Sequence, residues 1–151
     1  MPKKKFRLSR PPEIELSYIY KDPIEDHPVI TNPDQVHELL KAIWKPGSLN
    51  HREEMIAIYM NRAGRVLGYY GVSSGGISST AVDPLLIFQV ALKVNASSII
   101  MAHNHPSGNL LPSANDMVLA KRLELLGEFL YVKVLDHIII GQSGIWNYSG
   151  K

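Results

Sequence analysis

The sequence predicts an α/β domain in which a mixed central β-sheet is flanked by helices. Three observations carry that reading. Apolar runs of strand length alternate with segments whose apolar residues recur at helical spacing. Two of the helical segments open on Asn32-Pro33 and Asp83-Pro84, a capping residue followed by proline at the first helical position. The 151 residues hold no internal repeat and no second hydrophobic block, so one domain of ordinary size is expected.

Residues 1–12 carry Lys3, Lys4, Lys5, Arg7 and Arg10 without an acid and end in Pro11-Pro12. They read as a flexible basic arm, and 13–151 as a single domain. Residues 14–20 begin with alternation and predict a strand. Residues 21–28, with Pro23, Pro28 and three acids, predict a loop. Asn32 caps a helix on which Val36, Leu39, Leu40 and Ile43 recur, and Pro46-Gly47 ends it. Residues 53–60 are apolar on both faces, which suits a strand covered on both sides. The turn at 61–64 returns the chain as a second strand over 65–70, making a hairpin. The Gly- and Ser-rich stretch 71–80 reads as a flexible connection.

Asp83-Pro84 opens a helix with Leu86, Val90 and Val94 on one face and Ile87 and Ala91 beside them. Asn95 suits a left-handed cap at its end. Residues 97–102 form a short buried strand, followed directly by a loop over 103–112. Ser113 starts a helix that runs to about Gly127. Two further strands are expected, 129–135 and 137–140, and then a loop to Gly150.

Composition excludes several classes. There is no cysteine, which removes disulfides and thiolate zinc sites. No apolar run reaches the ~18 residues of a membrane span, and no apolar segment of a signal peptide follows the basic start. A cytoplasmic protein without membrane contact is expected. Outside the arm, 11 basic and 14 acidic side chains leave the body at −3. The arm is a solvated tail in one reading and a weak, non-specific contact to nucleic-acid phosphates in the other.

The chemistry concentrates in His103 to Asp116. The segment follows a buried strand, and residues two apart on a strand share a side, so strand geometry persisting to 105 would converge both imidazoles. Pro106 stops the strand and Ser107-Gly108-Asn109 turns the chain, presenting Asp116 from the first turn of the next helix. Two imidazoles and a carboxylate make three ligands, and a catalytic zinc site keeps its fourth position open. The competing reading is a capping box, in which Ser113 caps the helix and Asp116 reaches back to it.

His103-x-His105-Pro106, six residues, then Ser113-x-x-Asp116 resembles the JAMM (MPN+, or JAB) metalloprotease motif. His-Asn-His-Pro-Ser-Gly at 103–108, Arg52-Glu53 opening a strand, and Asp136-His137-Ile138-Ile139-Ile140-Gly141 resemble its RadC-type branch, over roughly residues 30 to 150. The resemblance implies a three-layer arrangement of the JAMM and cytidine-deaminase kind. It also implies one zinc ion per chain on His103, His105 and Asp116, and a metal-activated water with a glutamate general base. Aligned on the strand, Glu53 takes the glutamate position; Glu54, its neighbour, must point to the other side. Ser113 would donate a hydrogen bond to the oxyanion. The implied substrate is a peptide or isopeptide bond.

Only Ala96 separates Asn95 from the strand at 97, which leaves no room there for a ubiquitin-gripping insertion. A stand-alone domain is expected, because about 30 residues before the matching part are too few for the helix-hairpin-helix region usual in that branch. The alternative function is a DNA-associated accessory protein with a structural or vestigial metal site. A nuclease fits less well, since one metal with one carboxylate gives no two-metal clamp. His137 is either close behind the metal site or a satisfied strand histidine. His27, His37 and His51 are expected in solvent, Asn104 bonded to nearby backbone, and Trp44 and Trp146 in the core.

Overall fold

A computed structural model describes residues 13–74 and 82–149; the basic arm and the Gly/Ser-rich stretch beyond residue 74 lie outside the described residues. Five strands form one mixed sheet: β1 (Glu54–Met60), β2 (Val66–Ser74), β3 (Ser98–Asn104), β4 (Lys133–Gly141) and β5 (Gly144–Asn147). Their order is β2-β1-β3-β4-β5. Only β3 and β4 pair in parallel. That pair requires a crossover, which is supplied by helix α3 (Ala114–Leu130).

The strands alternate their side chains between two cores. Met55, Ala57 and Tyr59 of β1, with Ile99 and Met101 of β3, pack against Ile87, Phe88 and Ala91 of α2 (Pro84–Lys93) and Leu123 of α3. Ile56, Ile58 and Met60, with Ile100, Ala102, Ile138 and Ile140, pack against Val36, Leu40 and Trp44 at and beyond α1 (Pro33–Ile43). Helices therefore cover both faces, giving the expected three-layer α/β arrangement. Each fully buried aliphatic side chain stabilises this stack by roughly 1.5–3 kcal/mol. The ends form as their sequences dictate. Asn32 Oδ1 accepts from Gln35 N at 3.1 Å and Asp83 Oδ1 from Leu85 N at 2.9 Å. Asn95 takes a left-handed φ of 52°. No helix among the described residues is long and apolar enough to cross a membrane.

Several expectations need correction. Residues 14–20 form no strand. Ile14, Leu16 and Ile19 stand 80–86% exposed, and side chains hold the segment instead: Tyr18 Oη donates to the Leu67 carbonyl at 2.6 Å, and Tyr20 stacks edge-on with His27. His27 is correspondingly half-buried, with Nδ1 2.9 Å from the Val66 carbonyl. The loop before α1 contains a 3-10 turn, Ile24–Asp26. The buried stripe of α2 is Pro84, Ile87, Phe88 and Ala91, with Leu86 turned outward.

Helix α3 does not stop at Gly127 but runs to Leu130 and ends on Tyr131 in the left-handed region, φ 56°. Gly127 is needed for close approach: a Cβ there would collide with the carbonyl of Val132. The two strands expected over 129–140 are the end of α3 and a single strand, β4. Asp136 does not break that strand, because Asn147 Nδ2, Ser149 N and Ser149 Oγ satisfy its carboxylate at 2.8–3.0 Å. The register does slip there, skipping Leu135. The loop expected after Gly141 contains β5.

Candidate metal centre

Strand β3 persists two residues further than the apolar run suggested, through His103 and Asn104. His103 lies in phase with Ile99 and Met101, so its ring joins the α3 side of the sheet, where it is fully buried. His105 follows two positions later at the strand exit. Helix α3 begins at Ala114 and brings Asp116 back over the same spot. One ligating atom from each of His103, His105 and Asp116 can be chosen such that all lie within 4.8 Å of one another.

The detailed geometry fits a cation. His103 Nε2 and His105 Nε2 are 2.9 Å apart. Asp116 Oδ1 lies 3.3 Å from His103 Nε2, and Oδ2 lies 3.4 Å from His105 Nε2. A tetrahedral ion with ligand bonds of about 2.0–2.1 Å spaces its ligands about 3.3–3.4 Å apart. Each carboxylate oxygen lies at that spacing from one imidazole, Oδ1 from His103 and Oδ2 from His105, and the two imidazoles need to part by a few tenths of an ångström. The tautomer of His105 is set from behind: its Nδ1 lies 2.6 Å from the Asn109 carbonyl, a pure acceptor. The proton therefore sits on Nδ1 and the Nε2 lone pair faces the cluster.

Asp116 serves two roles at once. Its Oδ2 accepts from Ser113 N at 2.6 Å and from Ser113 Oγ at 2.7 Å, while Ser113 Oγ accepts from Asp116 N at 3.1 Å. The capping box is complete, yet the carboxylate still faces both histidines. The ligand and capping readings, which the sequence set against each other, hold together. Burial pushes the Asp116 carboxyl up, but hydrogen bonds from His103 and Ser113 outweigh it and hold the group below the usual carboxylate range.

Behind His103 stands His137, in mid-strand on β4 and not at a strand start. Its Nε2 is 2.9 Å from His103 Nδ1, and the two rings meet edge-on. Burial, reinforced by the neighbouring His103, lowers the His137 pKa to about 4. Its Nδ1 is buried without a hydrogen-bond partner.

The two candidate glutamates separate as strand alternation requires. The β1–β3 register pairs Met55 with His103, and its continuation sets Glu53 across from His105. Glu53 lines the same cleft of about 630 Å³ as His105, Ser113 and Asp116. Glu54 lines a different cavity beside Trp44 and Lys45, and its carboxylate meets Arg52 at 3.1 Å. Asn104 fixes this register. Its Nδ2 donates to the carbonyls of Leu49 and Arg52 at 2.6 and 2.9 Å, and its Oδ1 accepts from Glu54 N at 2.8 Å.

A family model described as a RadC-like JAB domain matches residues 30–150. The chain belongs to the RadC-like JAB domain family. Similar proteins include the UPF0758 protein of Desulforamulus reducens, 42% identical over 100 residues that make up 66% of this chain and 44% of that one. That of Flavobacterium johnsoniae is 39% identical over 102 residues, 68% of this chain and 44% of that one. That of Carboxydothermus hydrogenoformans is 38% identical over 112 residues, 74% and 48% respectively. The chain spans about half the length of these curated relatives.

In this RadC-like JAB domain, the residues singled out from sequence come together at one end of the sheet. One contribution was not legible beforehand. The Asn109 carbonyl orients His105, and a turn residue gives no sign that its backbone will do so. Of the two places open to His137, the structure gives the one behind His103, through a parallel β3–β4 register that no local pattern reports.

Proposed function

We propose that this domain is a zinc-dependent hydrolase of an amide or isopeptide bond, with Glu53 as general base. One observation carries the reading: Glu53 lines the same cleft as His105 and Asp116, which converge with the buried His103 as a ligand set. A structural metal site has no use for a carboxylate that is not a ligand. Imidazole and carboxylate donors favour zinc, copper, nickel or iron over magnesium. When bound, the ion would polarise a carbonyl and acidify a water.

The chain's own groups supply the rest. Glu53 takes a proton on its carboxylate and returns it to the leaving amine. Ser113 serves as oxyanion donor only after its hydroxyl rotates away from Asp116 Oδ2; the Ser113 backbone N–H holds that oxygen meanwhile. The described lining of the cleft contains Glu53 and Asp116 but no lysine or arginine. Such a lining suits a neutral or cationic amide and disfavours a phosphodiester.

The test uses zinc-loaded protein, its Glu53→Gln variant and Glu54→Gln as control, with a mixed library of short peptides and lysine-linked isopeptides. Newly freed amines, α-amino at cut peptides and lysine ε-amino at cut isopeptides, are counted by mass spectrometry. Cleavage by the parent and by Glu54→Gln is expected, with a loss of at least ~10²-fold in Glu53→Gln. Equal cleavage by Glu53→Gln would overturn the assignment of the base.

A further inference from the structure

We propose that His137 is a positioning residue whose Nε2 accepts from His103 Nδ1 when His103 holds the metal and donates to it when the site is metal-free. The argument follows the protons. A neutral imidazole has one N–H and one lone pair. His103 Nε2 faces His105 and Asp116, so serving as a ligand requires its lone pair there and its proton on Nδ1. The atom 2.9 Å from that Nδ1 is His137 Nε2, which must then be the acceptor. The His137 proton is thereby placed on Nδ1, the buried nitrogen without a hydrogen-bond partner.

The opposite arrangement is also self-consistent. With the proton on His137 Nε2, that group donates to His103 Nδ1, and His103 Nε2–H faces the His105 Nε2 lone pair at 2.9 Å and Asp116 Oδ1 at 3.3 Å. It leaves a lone pair, not an N–H, unsatisfied at His137 Nδ1. Buried N–H groups are left unpaired more rarely than acceptors, so the metal-free site favours this second arrangement. Metal loading therefore shifts both rings together, and His137 couples the two changes. Carboxylates and backbone carbonyls, the usual partners behind a metal-bound histidine, are acceptors only and have no such alternative. His105, backed by the Asn109 carbonyl, is held in one form throughout.

The inference rests on the metal reading of the site but not on turnover, so failure to find a hydrolysed substrate leaves it standing. Two measurements test it on the full chain. First, ¹⁵N NMR of the imidazoles should report the His103 proton on Nε2 in metal-free protein and on Nδ1 after zinc is added. His137 should move its proton from Nε2 to Nδ1 in step. A zinc-loaded protein with the proton on His137 Nε2 would overturn the proposal, as would one that shows no change in either ring.

Second, zinc affinity is measured against a chelator. His137→Leu removes the acceptor and should weaken zinc about 10- to 100-fold. His137→Gln offers a side-chain carbonyl in its place and should recover most of the loss. If both variants weaken zinc equally while retaining their circular dichroism and melting cooperativity, His137 acts by packing alone and the proposal fails. Should His137→Leu not fold, the NMR result on the parent decides.

Discussion

Ser113 and Asp116 grip each other in both directions: Ser113 N and Oγ donate to Asp116 Oδ2 at 2.6 and 2.7 Å, and Asp116 N donates to Ser113 Oγ at 3.1 Å. A motif that serves as a helix start thus also aims a carboxylate. The Ser-x-x-Asp spacing suits a metal site because the cap restricts the rotamer of Asp116 before any ion arrives.

Ser113→Ala should separate these effects. It removes one of the two hydrogen bonds to Oδ2 and a cap worth about 1 kcal/mol. Thermal melting should fall by roughly 2–4 °C, and zinc affinity should weaken severalfold, with the backbone N–H bond retaining the rest. Unchanged affinity would mean that the cap does not orient the ligand.

Metal content gives the plainest test. The parent should hold about one zinc per chain by elemental analysis, and His103→Ala with His105→Ala should hold none. A double variant with full zinc content would remove the site assigned here. Dialysis against a chelator should lower the melting temperature of the parent and leave that of the double variant unchanged.

Asn104→Ala addresses the opposite face of β3. The side chain is fully buried and makes three hydrogen bonds to backbone between Leu49 and Glu54. Its loss leaves buried polar groups unpaired, at a cost of about 2–4 kcal/mol, or roughly 5–15 °C in melting temperature. Because Glu53 lies inside the tethered segment, hydrolysis should fall more than zinc content does.

The pH dependence of the metal-free protein should carry the mark of His137. Its folded pKa of about 4 lies below the ordinary 6.5, so between these values the unfolded chain binds the extra proton. Stability is then complete above pH 6.5 and declines as pH falls toward 4, by up to about 3 kcal/mol. The Asp116 carboxyl, also lowered, loses its contribution only at still lower pH. Chelator-treated parent and His137→Gln, melted at pH 7 and pH 5, should differ in slope, the variant being the flatter. Parallel slopes would show that His137 does not titrate in this window.

The site was legible in the sequence because its parts are local. His103, His105, Ser113 and Asp116 fall within fourteen residues, and strand alternation alone separates Glu53 from Glu54. What escaped depends on distant chain. Ile14 and Leu16 alternate like the start of a strand, yet the segment pairs with no strand among the described residues and is held by its tyrosine side chains. Asp136 looks like a break until Asn147 and Ser149 arrive to satisfy it, and β5 exists only as the neighbour of β4. The end of α3 was misjudged because Gly127 commonly marks a helix terminus, whereas here it admits the Val132 carbonyl alongside a continuing helix.

The tether made by Asn104 has a consequence for how this domain can tolerate change in length. Its three bonds span Leu49 to Glu54 and measure that stretch against the end of β3. Inserting or deleting one residue there would move Glu53 out of the cleft and turn its neighbour inward, since a slip of one reverses every side chain on a strand. Around Leu111 the described tethers run back toward Asn109 and Gly141, with Leu111 N donating to Asn109 Oδ1 at 3.0 Å and Leu110 packed on Gly141, so a residue added after Leu111 need only lengthen a surface loop. Length variation should therefore be lethal to the site in one segment and harmless in the other, although both border the same cleft.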